Sequence, residues 1–530
     1  MVGIPRVEIS SIPAGPTRAI NEAGPVTLSR TSHLAVAVPL GLAALLGAYH
    51  LGAKSLWWDE AFSVWLARLD WPVLWRSIRT AEANMMLYYL LLHFWIRLGM
   101  SEAVVRSLST LAAVTCIVPF YFLGVRVLGA RPALLASVLL ASNAFFIRYA
   151  QEARAYSLEL LLTVSSSLLF LRAIDRPTYW RWAAYAVVSA LAVYAHFFAA
   201  WVLVVQFLAA MIVPDRPGLR ARFAWAQAAV AAELVPLAIF ASQRYGALAW
   251  VQRPTMGTVV KFGKELTGYG GTAVTVLYLL LCLAFFLRNR WLPNDEQRTL
   301  RWQRDFVVLW LTVPILGTLT ISWFAQPIFY GRFLFLLVAP LALAAAGGIQ
   351  VLPVRWVQLG TVVTLFALAL GGLRNWYKWI RKEDWRGAAA YVLYHAVPGD
   401  SIAFRPSGAR WPSEYYLARL RPDGIPLVPS FPAVPWGALE PDDFLLIERF
   451  DTWWNEHATS REHLWVMERS LPRMGSSGAV DQTAATAPPD PGPGYCIQQM
   501  KSFYWVRVEL YGSAPCKALR STSVNKSFRD

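Results

Sequence analysis

Roughly eleven apolar runs, each near the length that crosses a bilayer, recur along the chain. They cover residues 34–53, 103–125, 132–147, 156–172, 182–196, 197–213, 224–241, 272–288, 306–324, 333–350 and 356–373. Backbone polar groups in hydrocarbon must be satisfied within their own segment, so runs of this length fold as helices. Of the 530 residues 56% are hydrophobic and 15% charged, and mean hydropathy is +0.40, more than a water-soluble chain of this length can bury. The net charge of +16 would suit nucleic acid if the lysines and arginines shared one soluble face. They sit instead in short clusters between apolar runs, the pattern that orients membrane helices, so no nucleic-acid partner is expected.

The apolar stretch 85–100 decides the orientation. Counted as a span, it reverses the side of everything after it. It is short, follows Asn84 and carries His93 and Arg97, which fits a helix embedded at the interface. Read so, the arginines of 6–30, 126–131, 172–181, 216–222 and 288–304 and Arg355 all fall on the cytoplasmic side. The expected architecture is a polytopic α-helical membrane protein of the inner membrane, with about eleven transmembrane helices, an embedded juxtamembrane helix and a C-terminal extracytoplasmic α/β domain. Residues 1–32, polar and broken by Pro5, Pro13, Pro16 and Pro25, form a disordered cytoplasmic leader without the apolar core of a signal peptide. Residues 33–373 form the transmembrane domain, with 54–102 as its first extracytoplasmic loop, and 374–530 the soluble domain.

Within that domain, 383–396 reads as an amphipathic helix, 401–404, 444–447, 464–467 and 503–510 as strands, and 475–494 as a mobile loop. Cys116 and Cys282 lie in apolar spans, where an inert buried thiol is the usual reading; Cys496 and Cys516 share the tail, and a bridge between them stays open. The chain has no zinc-spaced Cys/His cluster and no phosphate-binding Gly-Lys loop.

In this topology the extracytoplasmic face gathers the motif-like polar residues. Trp57-Trp58-Asp59-Glu60 follows the first span, Arg106 opens the second, and Arg148-Tyr149-Ala150-Gln151-Glu152-Ala153-Arg154-Ala155-Tyr156, His196 and Tyr330-Gly331-Arg332 lie at later span ends. Carboxylates beside a bilayer are costly to desolvate and mark sites of chemistry or ion binding. Arginines kept on the disfavoured side need a local reason, and an anionic phosphate supplies one. The competing reading is that each arginine merely snorkels or pairs with Glu152 or Asp59.

Taken in order, Trp58-Asp59-Glu60-Ala61, Leu87-Tyr88-Tyr89-Leu90-Leu91-Leu92-His93, Arg106-Ser107-Leu108-Ser109, the stretch Tyr149 to Tyr156, Tyr194-Ala195-His196-Phe197-Phe198, Tyr330-Gly331-Arg332-Phe333 and Lys382-Glu383-Asp384-Trp385-Arg386 resemble the lipid-carrier-dependent glycosyltransferases of the GT-C superfamily. The likeness is to the bacterial relatives of the dolichyl-phosphate-mannose protein mannosyltransferases and of the lipid A aminoarabinose transferase, and it covers most of residues 34–410. One departure is that the usual Asn-Pro-Pro before the embedded helix is Asn84-Met85-Met86 here.

The resemblance implies transfer of a monosaccharide from a polyprenyl-phosphate donor to a hydroxyl on a lipid, glycan or protein acceptor at the extracytoplasmic face, with inversion. Asp59 is then the candidate base, with Glu60 orienting it and Glu152 a second acid. Arg154 and Arg332 are candidate phosphate ligands, with Arg106 a further one; Tyr88, Tyr149, Tyr156, His196 and Tyr330 are candidate lining residues. No cofactor is required, although a divalent cation (Mg²⁺ or Mn²⁺) on Asp59, Glu60 and Glu152 is an open variant. The rival readings are a transporter or flippase of lipid-linked sugars, for which Glu159 and Glu233 inside apolar runs speak, and a membrane scaffold whose outer domain binds a partner.

Overall fold

The computed structural model describes residues 34–80, 82–213, 218–242, 250–290, 298–440, 450–457, 462–470, 473–474, 480–481, 490 and 495–513. Helices dominate as far as Arg374: α1 (Ala37–Ala48), α2 (Trp58–Arg68), α3 (Trp71–Thr80), α4 (Met86–Trp95), α5 (Glu102–Leu128), α6 (Ala130–Ser142), α7 (Ala144–Ala150), α8 (Tyr156–Asp175), α9 (Tyr179–Ala195), α10 (Ala200–Ile212), α11 (Leu219–Ser242), α12 (Met256–Leu266), α13 (Thr272–Arg290), α14 (Arg298–Phe324), α15 (Val338–Ile349) and α16 (Arg355–Arg374). Every apolar run of the sequence carries a helix. Six helices among the described residues are long and apolar enough to cross a membrane, or seven if the bent pair α6 and α7 is one span.

The run 132–147 is not one straight helix. It breaks at Asn143 with a bend of 62°, because the Asn143 carboxamide oxygen caps α7, accepting the N–H of Phe145 at 2.8 Å and of Phe146 at 3.2 Å. The Asn143 amide nitrogen donates to the carbonyl of Leu266 at 3.0 Å, so one side chain satisfies the broken end and ties it to α12. The first run is also shorter as a helix than as an apolar stretch, since α1 stops at Ala48 and turns follow.

Small residues set the packing. The segment Gly331–Ile349, a 3-10 turn leading into α15, is buried almost throughout. A side chain at Gly348 would stand 2.1 Å from the carbonyl oxygen of Leu281, so α13 and α15 approach to backbone contact only because that residue is glycine. The stretch expected to embed at the interface is α4 with a 3-10 extension, Ile96–Leu98, and its Phe94 and Leu98 are exposed. In the departing loop before it, the Asn84 side chain accepts the N–H of Phe197 at 3.2 Å and joins α4 to the corner after α9.

Beyond a π-helical turn, Asn375–Trp379, the chain changes character. Helices α17 (Trp385–His395), α18 (Arg410–Leu420) and α19 (Phe450–His457) accompany strands β1 (Ser401–Arg405), β2 (Val428–Phe431), β3 (His463–Arg469), β4 (Arg473–Met474), β5 (Val480–Asp481), β6 (Tyr495–Phe503) and β7 (Val506–Ser513). Five strands form one sheet in the order β2-β1-β3-β7-β6, while β4 and β5 pair separately. In the sheet β1 runs parallel to β2 and β3, and β3–β7 and β7–β6 are antiparallel. The expected strand 503–510 is found as the first half of β7, preceded by a hairpin turn at Tyr504-Trp505 with Trp505 at φ 58° and by Phe503, the last residue of β6. The expected strand 444–447, the leader and Cys516 lie outside the described residues, as does most of the loop 475–494. Cys496 is disulfide-bonded, and Cys116 and Cys282 are free.

This C-terminal unit is docked on the first residue of α5 and on the segment before α2. Glu102 of α5 accepts hydrogen bonds from Arg386 at 2.6 Å, from the Tyr416 hydroxyl at 3.1 Å, and from Arg419. The Tyr416 hydroxyl in turn accepts the N–H of Leu56, the residue immediately before the two tryptophans that precede the acidic pair.

Candidate active site at the start of α2

Helix α2 begins with Trp58, and its first turn carries both acids. They point opposite ways. Glu60 folds back to cap its own helix, accepting the Trp57 N–H at 3.3 Å, and is fully buried. Its carboxylate also takes the Ala153 N–H at 2.9 Å, Arg106 through Nε at 2.7 Å and Nη2 at 2.8 Å, and Lys382 Nζ at 3.0 Å. Burial alone would raise the Glu60 pKa, but the charges of Arg106 and Lys382 outweigh it and hold the carboxyl down at about 2.

Arg106 is saturated. Its remaining N–H groups donate to the carbonyls of Leu51 at 2.9 Å, Lys54 at 2.8 Å and Ser55 at 2.9 Å, which with the two bonds to Glu60 uses every guanidinium donor. It therefore has no donor left for a phosphate, and the structure places it as the buried strut of the first loop rather than as a phosphate ligand. Glu60 is a strut by the same count.

Asp59 is different. Its side chain is 18% exposed, and Oδ2 accepts Arg332 Nη1 at 2.6 Å. Burial raises its pKa, while Arg332, Arg154 and Arg469 more than compensate and leave the carboxyl below its ordinary value. Arg154 reaches the same place from the turn before α8: its Nη1 donates to Ser63 Oγ at 3.1 Å, Tyr89 Oη at 3.2 Å and the Asp59 carbonyl at 3.4 Å. Both arginines keep a buried Nε with no hydrogen-bond partner among the described residues. The Arg332 guanidinium lies among the rings of Trp57, Trp250, Tyr330 and Phe333, 5.0 to 5.6 Å from their centroids. Trp57 Nε1, the Tyr156 hydroxyl and Glu152 Oε2 are likewise buried and unpartnered among the described residues. Buried polar groups are normally hydrogen-bonded, so a cluster of unmet donors and acceptors around one carboxylate has the character of a ligand site.

Glu152 sits at the far side of this network, taking Arg148 Nε at 3.2 Å and standing 3.8 Å from Lys382. Lys382 thus bridges Glu60 and Glu152. It was visible in the sequence only as part of a motif, with nothing to mark it as a site residue.

The tyrosines divide. Tyr330 is exposed beside Arg332, and Tyr156 packs against His196 with ring centroids 5.4 Å apart. His196 is buried, with Nδ1 accepting the Phe198 N–H at 3.2 Å and standing 3.6 Å from Glu159. Tyr149 is enclosed by Phe145, Tyr156 and Phe335, with centroids at 5.0, 4.8 and 4.8 Å, and serves packing rather than lining. Tyr88 is buried with its hydroxyl on Ser109 Oγ at 2.9 Å, and its neighbour Tyr89 touches Arg154 instead.

Among the described residues no group of three His, Cys, Asp or Glu side chains is placed to hold a metal. Glu60 already accepts five N–H donors, so a set that shares its carboxylate with Asp59 and Glu152 does not fit a divalent ion.

ArnT from Cupriavidus metallidurans bound to undecaprenyl phosphate superposes with a TM-score of 0.55 at 10% identity, over 92% of this chain and 99% of that one. Its apo state gives 0.53 at 10% identity over 91% and 98%. The chain therefore shares the fold of that solved protein. The oligosaccharyltransferase of Archaeoglobus fulgidus, in complex with Zn and sulfate, gives 0.49 at 11% identity over 81% of this chain and 67% of that one. No family model and no curated protein sequence matches the chain. The shared fold and the apolar helices make it a multi-pass membrane protein.

Proposed function

We propose that this GT-C-fold protein is a glycosyltransferase that moves a monosaccharide from a polyprenyl-phosphate donor to an acceptor hydroxyl at the extracytoplasmic face, with inversion. The observation that carries the proposal is the pair Arg154 and Arg332, each with a buried and unmet Nε–H among the described residues, flanking a partly open carboxylate, Asp59. A phosphate monoanion at this place satisfies those donors bidentately. Asp59 takes the proton of the acceptor hydroxyl, the oxygen attacks the anomeric carbon, and the bond from that carbon to the phosphate oxygen breaks. The charge developing on polyprenyl phosphate is met by Arg154 and Arg332. One base and one displacement give inversion. The solved ArnT that shares this fold holds undecaprenyl phosphate, which supports a carrier of that kind. The arginine clusters between the apolar runs, read by the positive-inside pattern, support an extracytoplasmic placement.

The two charges that speak for a transporter do not line a common path. Glu159 lies in the first turn of α8, against His196 at the active-site end rather than in mid-span, and Glu233 is exposed on the surface of α11. The test is release of free polyprenyl phosphate from a panel of polyprenyl-phosphate monosaccharides by the purified protein, with lipid, glycan and peptide acceptors supplied. Release that disappears in Asp59→Asn is the expected result. No release by folded wild type from any donor overturns the proposal, and full activity after chelation disposes of a divalent cation.

A further inference from the structure

We infer that the C-terminal α/β unit is a working part of this active site, through Lys382 and Glu383, a two-residue clip that holds the first turn of α2 from opposite sides. The inference rests on the reaction proposed above. Three carboxylates crowd that turn: Asp59, Glu60 and Glu383. Glu60 and Glu383 are buried at 0% and 1% exposure, and Asp59 alone is left open to a reactant.

Glu383 is bonded through both of its oxygens. Oε2 accepts the backbone N–H of Trp58 at 2.9 Å and the indole N–H of Trp385 at 2.7 Å, and Oε1 accepts Arg469 Nε at 2.7 Å. The first N–H groups of a helix have no partner within it, and a carboxylate there also meets the positive end of the helix dipole. Glu383 thus fixes the amide immediately before Asp59. Its neighbour Lys382 turns the other way and bonds Glu60, whose carboxylate caps Trp57. Adjacent linker residues therefore grip two residues of the first helical turn, Trp58 and Glu60.

The grip is anchored in the sheet. Arg469 is the last residue of β3, and its guanidinium lies over the Trp58 ring at 4.4 Å, while the N–H of Asp384 donates to the carbonyl of Tyr504 in the β6–β7 turn at 3.0 Å. From α18, Trp411 packs edge-on against Trp58 at 5.3 Å and Phe62 at 4.9 Å. The turn before α18 comes so close that a side chain at Gly408 would stand 2.6 Å from the Trp58 ring. None of these groups need touch substrate. They are positioning residues, and a shift of about 1 Å in a reacting group is enough to cost about 100-fold in rate.

The experiment is steady-state donor turnover by the full-length protein in nanodiscs. Glu383→Ala and Arg469→Met are expected to lower kcat about 30-fold with donor KM within about twofold, because the clip sets the base and not the phosphate ligands. Glu383→Gln keeps one acceptor for the Trp58 N–H and should retain most of the rate lost in Glu383→Ala; Lys382→Arg should likewise outperform Lys382→Met. Unchanged kcat overturns the clip. So does a fall in kcat, donor affinity and thermal midpoint together that the conservative variants do not relieve. Amide hydrogen exchange over Trp58 to Ala61 separates this inference from the reaction itself: Glu383→Ala should speed exchange there at least about tenfold. Unaltered protection sinks the clip even if transfer is real, and faster exchange in a protein whose wild type transfers nothing leaves the clip standing and the reaction refuted.

Discussion

Two ion pairs sit one residue apart at the start of α2 and differ in every respect that matters. Glu60 and Arg106 are buried, and each has all of its hydrogen-bonding capacity spent on the other, on backbone groups and on Lys382. Asp59 and Arg332 are 18% and 15% exposed, make a single bond at 2.6 Å, and leave Arg332 Nε unpartnered among the described residues. Residue type does not separate them, since both are a carboxylate with a guanidinium. Saturation does. A pair whose partners are all supplied by the fold belongs to the fold, whereas unmet donors beside an open carboxylate are organised for something that arrives later.

The sharpest way to break the comparison is to remove each acid. Asp59→Asn keeps shape and loses the base, and transfer should fall by about 1000-fold with donor binding retained. Glu60 and Arg106 should fail by another route. Arg106→Ala strands a buried carboxylate and three carbonyls, at a cost of about 3–5 kcal/mol, so the thermal midpoint and yield should drop while donor affinity per folded molecule is kept. Acid should find the same pair. The folded Glu60 value near 2 lies below the ordinary 4.5, so its contribution is complete above the unfolded value and is lost as pH falls from about 4.5 toward about 2. Wild type should lose stability across that window and Glu60→Gln should show a shallower slope, measured by thermal midpoints in nanodiscs; parallel slopes would move Glu60 out of the strut.

Removing the two arginines with unmet Nε–H groups should act on the donor. Arg154→Ala and Arg332→Ala each lose charge-assisted hydrogen bonds to phosphate, and donor affinity should weaken by about 10- to 100-fold with thermal midpoints little changed. If Arg106→Ala weakened the donor as much as these, the distinction between spent and unspent guanidinium groups would collapse.

How much of this was legible in the sequence follows the same line. Apolar runs give helices because hydrocarbon leaves the backbone no alternative, and every run carries one. The break at Asn143 escapes a reading by hydropathy because one polar residue barely dents a long window, although Asn before an apolar stretch is a cap signal. Asp59, Arg154 and Arg332 stand out by their order and common side, and the fold brings them together. The spent state of Arg106 is not written in side chains at all: three of its five acceptors are carbonyls of residues 51–55, whose positions exist only after the chain has folded. Glu383 and Arg469 are hidden for a related reason, since the residue they fix lies more than three hundred positions away.

The smallest effect tests the finest distinction. Tyr88 and Tyr89 are adjacent, and on a helix adjacent side chains diverge by about 100°, so only one can face Arg154. Sequence gives no register to say which. In the structure Tyr89 takes that place at 3.2 Å, while Tyr88 is bonded to Ser109 at 2.9 Å in the packed interior. Tyr89→Phe removes one of three groups that hold Arg154 Nη1 and should weaken the donor about threefold, whereas Tyr88→Phe should leave donor affinity unchanged and cost less than about 1 kcal/mol of stability. Titrating the donor against both variants decides between them. An effect confined to Tyr88→Phe would mean that α4 is turned by one residue, and the geometry built on Arg154 would have to turn with it.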